Sequence, residues 1–348
     1  MALLTAEPQG TDGARDGRAP VVEVEDLVKE YGRGKRAFRA VKGVSFDVYP
    51  GEVFGFLGPN GAGKTTTISV LCTLLQPTSG QVRIAGFDVQ HQATEVRRSI
   101  GLIFQDPTLD GQLSAQENLD FHAFAYDVPQ AEARTRGERL MKLVDLWDRR
   151  NDQVKMFSGG MKRRLEIVRG LLHRPSVLFL DEPTQGLDPQ TRSLIWNHLL
   201  GLRRDDGVTL FMTTHYMDEA EYCDRIAIID HGEIVALDTP ANLKAMVGGD
   251  VVVIRTTDNQ LARGEIEERW GRAAVEHGRE LRLEVEHGDE FVPELVRGIT
   301  PRVEAISVSR PTLDDVFMKL TGHAIREQEA GAVDFMRQAG RMWGGGRR

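Results

Sequence analysis

The stretch GPNGAGKT, residues 58–65, is the feature that most restricts how this chain can fold. It fits G-x-x-x-x-G-K-[ST], a pattern in which glycines let successive backbone N–H groups point inward at a phosphate while the lysine adds a positive charge. Such a loop needs a buried strand before it and a helix after it. The apolar run VFGFLG (53–58) and the helical stretch TTTISVLCTLL (65–75) supply both. The sequence therefore predicts a strand, a loop and a helix that grip a triphosphate.

A glycine turn without a ligand is the alternative for this loop. Glycine makes up 36 of the 348 residues, so the pattern alone is only suggestive. Its position between a strand and a helix favours phosphate binding. In that case Lys64 reaches the β and γ phosphates, and the hydroxyl of Thr65 can ligate Mg²⁺.

Two further apolar strands end in side chains that suit the same site. VLFL (177–180) delivers Asp181 and Glu182, and VTLFMTTH ends in His215. Ligands of open parallel sheets lie at the carboxyl ends of the strands, so Asp181 suits the Mg²⁺ shell and Glu182 suits polarisation of an attacking water. Solvated surface acids and a surface or core histidine are the alternatives. If the strands are neighbours, all three side chains reach one edge of the sheet.

FSGGMKRRLEI, residues 157–167, predicts a second helix start that could bind an anion. Ser158 suits an N-cap, and Gly159 and Gly160 let a phosphate approach the positive end of the helix dipole. An ordinary capped helix with a basic, solvated face is the alternative. The chain thus carries two candidate phosphate-binding helix starts about a hundred residues apart.

The pattern of strands and helices predicts an α/β unit followed by a smaller one. VVEVEDLV (21–28) and GVSFDVYPGE (43–52) alternate like antiparallel strands, and residues 114–150 have helical periodicity, opening with a capping box at Ser114 and Glu117. Three later apolar runs separated by helical segments have the βαβ rhythm of a parallel sheet covered on both faces.

A change of composition at Gly248 and Gly249 predicts the domain boundary. We expect an N-terminal disordered lead over 1–19, a main domain over 20–247 and a compact α+β unit over 248–323. Residues 324–348 are expected to form a flexible tail, with a membrane-surface anchor as the alternative. Within the main domain, the helical insert is expected to span about 107–172.

Composition excludes several classes of protein. The longest apolar runs are of strand length, far short of the ~18 to 20 residues needed to span a bilayer, so the chain is not expected to cross a membrane. Cys72 and Cys223 lack metal-ligand spacing and are expected to be reduced, buried thiols. The net charge of −8 argues mildly against nucleic acid as the main partner.

Taken together, the motifs resemble those of the ATP-binding subunits of ABC transporters. GPNGAGKTT, the glutamine of IFQD, FSGGM, LFLDEPTQGLD and the histidine of MTTH occur in that family's order, and the resemblance covers residues 21 to about 240. It implies a P-loop NTPase fold, an ABC ATPase domain with a mixed sheet, an antiparallel β-subdomain and a helical subdomain, followed here by the small α+β domain.

The resemblance also assigns roles to residues. Gln105 is similar to the residue that senses Mg²⁺ and water and faces the membrane subunit, and with Thr65 and Asp181 it is a candidate metal ligand. Glu182 resembles the catalytic base, His215 the γ-phosphate switch and Asp188 the aspartate that crosses a dimer interface. The candidate nucleotide-binding residues are Tyr31, Gly58, Pro59, Asn60, Gly61, Ala62, Gly63, Lys64, Thr65, Thr66, Ser158, Gly159, Gly160 and Asp188.

An aromatic ring is expected against the adenine, because stacking needs a flat apolar face. Tyr31 in KEYG matches the family's position best, and Phe38 is a competitor because the segment GRGKRAFRAV is longer than expected. Packing in the β-subdomain is the alternative for either ring. FSGGM departs from the family's LSGGQ at both ends, and Gln185 stands where Thr, Asn or Ser is more usual; neither change removes a catalytic group.

RPTLDDVFMKLTG, residues 310–322, resembles the closing segment of daunorubicin-resistance-type ATPases, which serve exporters with a separately encoded membrane subunit. The resemblance implies ATP and Mg²⁺ as cofactors, a second copy and an integral membrane permease as partners, no nucleic acid, and a peripheral location on the cytoplasmic face of the membrane. It implies drug or antibiotic efflux, with polysaccharide or lipid export as the alternative.

Two readings from other classes compete with a transport ATPase. A non-transport ABC ATPase acting on ribosomes or DNA is disfavoured, because the chain has neither a second cassette nor a long coiled coil. A regulatory module that holds ATP without hydrolysing it is disfavoured by Glu182 and His215.

Overall fold

The computed structural model describes residues 19–32, 34 and 37–321, without the side chain of His277. The predicted lead, apart from residue 19, and the predicted tail lie outside these residues. Within the described ranges, no helix has both the length and the apolar character needed to cross a membrane.

The strands and helices follow one another along the whole described chain. The strands are β1 (Val22–Tyr31), β2 (Phe38–Val48), β3 (Val53–Leu57), β4 (Ser79–Ile84), β5 (Phe87–Asp88), β6 (Ile100–Ile103), β7 (Val177–Asp181), β8 (Thr209–Thr214), β9 (Arg225–Asp230), β10 (Glu233–Asp238), β11 (Asp250–Thr256), β12 (Val275–His277), β13 (Glu280–Val285) and β14 (Val303–Ser309). The helices are α1 (Lys64–Leu71), α2 (Ala93–Ser99), α3 (Ala115–Ala125), α4 (Gln130–Leu143), α5 (Gly159–Leu171), α6 (Pro189–Asp206), α7 (Met217–Ala220), α8 (Pro240–Ala245), α9 (Asn259–Trp270), α10 (Gly288–Gly298) and α11 (Leu313–Thr321).

The central sheet has six strands in the order β10-β9-β3-β8-β7-β6, all parallel except β10. Strands β3, β7 and β8 are buried along their whole length, as expected of parallel strands with both faces covered. In the register, Leu57 pairs with Thr214 and Asp181 with Thr213. The parallel sheet predicted from the apolar runs is confirmed, and its register brings the ends of these three strands to one edge.

A second, antiparallel sheet has the order β2-β1-β4-β5. It packs on the central sheet through aromatic rings, with the centroid of Phe46 5.4 Å from that of Phe54 and 5.9 Å from that of Phe211. Such offset ring pairs add to the free energy gained from area burial alone. This sheet is the antiparallel β-subdomain that the sequence predicts.

Helices α3 to α5 lie between β6 and β7 in the chain. The predicted capping box is confirmed: Ser114 N donates to Glu117 Oε2 at 2.7 Å, and Glu117 N donates to Ser114 Oγ at 3.2 Å. The helices bury apolar side chains such as Leu119, Leu140 and Leu165 in the core that covers one face of the central sheet. The helical subdomain is thus anchored to the parallel strands.

A third sheet, β12-β13-β11-β14, is entirely antiparallel and carries α9 and α10. Val252, Ile254, Leu281 and Leu295 lie in a core of its own. The last helix, α11, does not contribute to that core.

Helix α11 returns to the first unit. Leu313, Val316 and Phe317 are buried in the core of the central sheet and helical region, and α11 contacts α8. Lys319 Nζ donates to the carbonyl oxygens of Met246 at 3.0 Å and Val247 at 2.7 Å. Helix α11, which lies in the segment expected to close the small C-terminal domain, therefore packs against the main unit, and the domain boundaries stay a prediction.

Candidate active site

The phosphate loop joins β3 to α1, as its pattern requires. Gly61 and Gly63 have positive φ angles of 83° and 109°, a region in which residues with a Cβ are strained. A Cβ on Gly58 would lie 2.2 Å from the carbonyl oxygen of Ile229. The glycines are thus needed for the curl of the backbone and for its close approach to β9.

Lys64 closes over its own loop at the first residue of α1. The side chain is 4% exposed, and its Nζ donates to the carbonyl oxygens of Gly58 at 2.7 Å and Pro59 at 3.1 Å. Burial lowers the pKa of Lys64, and the neighbouring Glu182 carboxylate opposes that effect. The ammonium group is held on the inner side of the loop, where the phosphate chain would lie.

The two carboxylates at the end of β7 have different surroundings. Thr213 Oγ1 donates to Asp181 Oδ1 at 2.5 Å, and the Thr65 hydroxyl also bonds this carboxylate. Burial raises the pKa of Asp181, against the effect of these hydroxyls. Glu182 has a φ of 47°, and its N–H donates to Thr213 Oγ1 at 3.1 Å.

Glu182 lies between two basic side chains. Its Oε1 is 3.4 Å from Lys64 Nζ and 3.3 Å from His215 Nδ1, and all three side chains are less than a tenth exposed. Burial raises the pKa of Glu182, but His215 and Lys64 together outweigh it and hold the pKa below its ordinary value. The structure thus brings these three predicted residues into one cluster, with an ionised carboxylate at neutral pH.

The donors around Asp181 fit a magnesium ion. Mg²⁺ prefers oxygen ligands and is held by one or two protein groups together with phosphates and waters. The Thr65 hydroxyl and the Asp181 carboxylate provide two such oxygens in contact with each other. Gln105 is placed differently: it lies in the exposed loop after β6, and its Nε2 donates to Gln185 Oε1.

Tyr31 and Phe38 face each other at the ends of β1 and β2. The Tyr31 hydroxyl lies 3.5 Å from Thr66 Oγ1, so the tyrosine reaches the helix that follows the phosphate loop. Phe38 is 56% exposed. The tyrosine therefore contacts the region of the phosphate loop, and the phenylalanine lies beside the tyrosine with much of its side chain exposed.

The other helix start lies on the surface. Ser158 is the N-cap of α5, accepting from Met161 N at 3.3 Å, and Asp188 is the N-cap of α6, accepting from Thr191 N at 3.0 Å. A Cβ on Gly160 would lie 2.5 Å from Thr191 Cγ2. The two helix starts are therefore packed side by side, with Ser158, Gly159 and Asp188 exposed.

Three polar residues behind the site do not follow from the sequence motifs. Thr213 binds Asp181 and Glu182 as described. The fully buried Glu219 accepts from the hydroxyls of Thr184 and Thr214, the latter at 2.7 Å, and so joins the loop after β7 to the end of β8. Arg163 of α5 bonds the backbone of the β7 loop. A polar residue within an apolar strand is a signal for Thr213; the others depend on contacts distant in sequence.

Known proteins place this arrangement in a family. The family model described as ABC transporter matches residues 41–185. The linearmycin resistance ATP-binding protein LnrL of Bacillus subtilis (strain 168) is 35% identical over 322 residues, which cover 88% of this chain and 100% of LnrL. The daunorubicin/doxorubicin resistance ATP-binding protein DrrA of Streptomyces peucetius is 39% identical over 311 residues, which cover 87% of this chain and 92% of DrrA.

A solved structure is similar as well. The ATP-binding cassette MJ0796, as a dimer in a post-hydrolysis state bound to ADP and Pi, superposes with a TM-score of 0.57 at 30% identity. The match covers 63% of this chain and 98% of MJ0796. The resemblance stated from the motifs is confirmed, and so is the ABC ATPase fold. The chain belongs to the ATP-binding proteins of ABC transporters and is an ABC-type ATPase.

Proposed function

We propose that two copies of this chain enclose two ATP molecules, and that hydrolysis opens the pair and drives a separately encoded membrane permease that exports an antibiotic or similar drug. The observation that carries the catalytic part is the position of Glu182 Oε1, 3.4 Å from Lys64 Nζ and 3.3 Å from His215 Nδ1. The cluster lies at the strand ends next to the phosphate loop.

Within one chain, the loop and Lys64 bind the β and γ phosphates through backbone N–H groups and the ammonium group. Thr65 and Asp181 would hold Mg²⁺, which would neutralise charge developing on the phosphates. Gln105, which bonds Gln185 in this structure, would reach the metal and the water if the loop after β6 moved inward. Tyr31 stacks on the adenine, since its hydroxyl already reaches Thr66.

Glu182 acts on the attacking water. Its pKa is held below the usual range by His215 and Lys64, so the carboxylate is ionised at neutral pH and accepts a hydrogen bond from the water. His215 shares the buried cluster with it and contacts the γ-phosphate. Buried charges act more strongly here than in water, because the site has a lower effective dielectric constant.

The surface formed by Ser158, Gly159, Gly160 and Asp188 completes the nucleotide site of the second copy. A helix start with exposed N–H groups binds a phosphate well. That MJ0796, which is 30% identical, is a dimer supports this arrangement.

Export is supported by the relatives, since LnrL and DrrA are named for resistance to linearmycin and to daunorubicin or doxorubicin. The chain then works at the cytoplasmic face of the membrane, bound to its permease. A tagged copy should recover a polytopic membrane protein from detergent-solubilised membranes. If no membrane protein is recovered, the proposed permease is contradicted. If the chain corrects a polysaccharide or lipid defect in a host cell but gives that cell no resistance to drugs, drug export is contradicted.

Glu182→Gln tests the catalytic assignment. The variant keeps the shape of the side chain but cannot carry its charge, so ATP turnover should fall about 100- to 10,000-fold while ATP and Mg²⁺ hold two chains together. Size-exclusion chromatography and the number of nucleotides per chain measure the trapped pair. Glu221→Gln is the control, because Glu221 pairs with Lys244 on the surface. Normal turnover in Glu182→Gln would remove Glu182 from the reaction.

A further inference from the structure

Arg163 joins α5 to the loops that carry Glu182 and Gln105. The side chain is buried, at 6% exposure. Its guanidinium group donates to the backbone carbonyl oxygens of four residues, Phe104, Asp181, Glu182 and Pro183. The distances are 3.4 Å to Asp181 O and 3.2 Å to Glu182 O. One side chain therefore holds the residue before Gln105 and the three residues around Glu182.

Glu166 holds the other side of the Gln105 loop. It is fully buried, and its Oε2 lies 3.1 Å from Arg163 Nη1. Its Oε1 accepts from Thr108 N at 2.7 Å. Phe104 and Thr108, on either side of Gln105, are thus both attached to α5 by this one ion pair.

Stability alone does not explain why a charged pair, Arg163 and Glu166, is buried here. Burying two charges costs several kcal/mol, and apolar residues of similar volume are often as stable as a buried pair. What apolar residues cannot supply is a planar fork of N–H donors that fixes several carbonyl groups at once. Every acceptor of the Arg163 fork, apart from Glu166, is a backbone group next to Gln105 or Glu182.

Glu182 has a particular need for such support. Its φ of 47° is in the left-handed region, which residues with a Cβ occupy at an energetic cost and keep only when the surroundings hold them there. Arg163 holds the carbonyl groups on both sides of this residue, and Thr213 holds its N–H. Loss of the fork would let the carboxylate move away from its position between Lys64 and His215.

We propose that Arg163 and Glu166 are positioning residues that couple the two ATP sites of a pair. The inference rests on the proposed function, in which Ser158 at the start of α5 meets the nucleotide of the second copy. Because the same helix holds Glu182 and Gln105 of its own site, ATP engaged at Ser158 sets the geometry of the carboxylate at the other site.

Arg163→Lys tests this coupling. Lysine keeps the charge but has a single donor group in place of the fork. Turnover at saturating ATP should fall about 100-fold, the effect of a small misplacement of a reacting group. The dissociation constant of ATP, measured on single chains, should stay within about twofold, and hydrolysis should lose its cooperative dependence on ATP concentration. Arg164→Lys is the matched control, because Arg164 Nη1 donates to Val144 O at 2.7 Å and, among the described residues, to neither the Gln105 loop nor the Glu182 loop; it should behave as the wild type.

The double variant Arg163→Met with Glu166→Leu separates positioning from folding. It removes the fork without leaving an unpaired buried charge. It should melt cooperatively and bind ATP with the wild-type stoichiometry, yet turn over as slowly as Arg163→Lys. Wild-type turnover with unchanged cooperativity in either variant would overturn the proposal. A loss of turnover that only matches the loss of ATP-binding chains would overturn it too, because the pair would then be structural.

The Glu182→Gln result keeps the two proposals apart. If Glu182→Gln hydrolyses ATP normally, the proposed function itself has failed. If Glu182→Gln is inactive and traps the pair while Arg163→Lys matches the wild type, only the coupling role has failed.

Discussion

The two halves of the proposed nucleotide site are built in opposite ways. The half around the phosphate loop is buried, with Lys64, Asp181 and Glu182 at 4%, 5% and 7% exposure, and its charged groups already contact one another. The half around Ser158 and Asp188 is exposed, and each of these two side chains caps its own helix. The side chains of the buried half already contact one another in a single chain, whereas the exposed half would gain contacts only when a ligand or a second copy binds.

Under the proposed function, this difference would let one chain bind ATP without hydrolysing it at an appreciable rate. Lys64 and Glu182, which are proposed to bind the phosphates and to act on the water, lie in the buried half, whereas Ser158 and Asp188 are proposed to complete the site of a second copy. Changes to the two halves should therefore separate binding from turnover.

Ser158→Arg should give the largest separation. The long side chain occupies the place of a phosphate and removes the cap of α5, so turnover should fall at least about 100-fold, in the range seen for loss of one anion-binding group. ATP affinity, measured by calorimetry, should change less than about threefold because Lys64 is untouched. Ser158→Ala removes only the hydroxyl and should lie in between. Normal turnover in Ser158→Arg would remove this helix start from the site.

Gly160→Ala should loosen the exposed half. The added Cβ would lie 2.5 Å from Thr191 Cγ2, and such overpacking costs about 1 to 3 kcal/mol. The thermal midpoint should fall. Adding Thr191→Ser removes Cγ2 but keeps the hydroxyl that bonds Asp188, so the pair of changes should restore the midpoint. If adding Thr191→Ser does not restore the thermal midpoint, contact with Thr191 is not the reason that position 160 requires glycine.

Tyr31→Ala and Phe38→Ala test which aromatic ring stacks on the adenine next to the buried half. Aromatic stacking contributes about 0.5 to 1.5 kcal/mol beyond area burial, so loss of the stacking ring should weaken ATP binding about two- to tenfold. We expect this of Tyr31, which lies 3.5 Å from Thr66 Oγ1, and little change for Phe38. Calorimetry with ATP and with triphosphate alone gives the comparison. A larger loss for Phe38→Ala would reverse the assignment.

Asp181→Asn should change the free energy of unfolding least, and it should stabilise the chain where Gly160→Ala destabilises it. Burial raises the pKa of Asp181, so folding favours the neutral form of this carboxyl group. The contribution of Asp181 to stability is therefore present in acid and is lost as the pH rises through the raised pKa. Asparagine is neutral at every pH. At neutral pH the variant should gain about 1 kcal/mol, seen as a higher thermal midpoint, although Mg²⁺-dependent turnover is lost. In acid the gain should vanish. A lower midpoint at neutral pH would contradict a cost of charge at this position.

Much of the buried half could be predicted because each part is local in sequence. An apolar strand that ends in a polar residue predicts where that residue lies, and a parallel register brings Asp181, Glu182 and His215 together. The motif order supplied the rest. Gly160 was predicted only to admit a phosphate, and its close approach to Thr191 could not be foreseen, because two helix starts distant in sequence meet there.

Contacts between distant segments account for what the sequence analysis missed. The fork of Arg163 joins residues from Phe104 to Pro183, and nothing within α5 distinguishes it from the neighbouring basic residues Lys162 and Arg164. Likewise, the apolar spacing of Leu313, Val316 and Phe317 predicts an amphipathic helix but not which core receives it.

The return of α11 has a practical consequence for truncation. The third sheet, residues 250–309, leaves the main unit after α8 and is followed by a helix that packs on that same unit, so it is a segment fixed at both ends. A chain cut before residue 310 would uncover an apolar patch on the main unit and should aggregate. Removing 250–309 and joining the ends with a flexible linker would keep that patch covered.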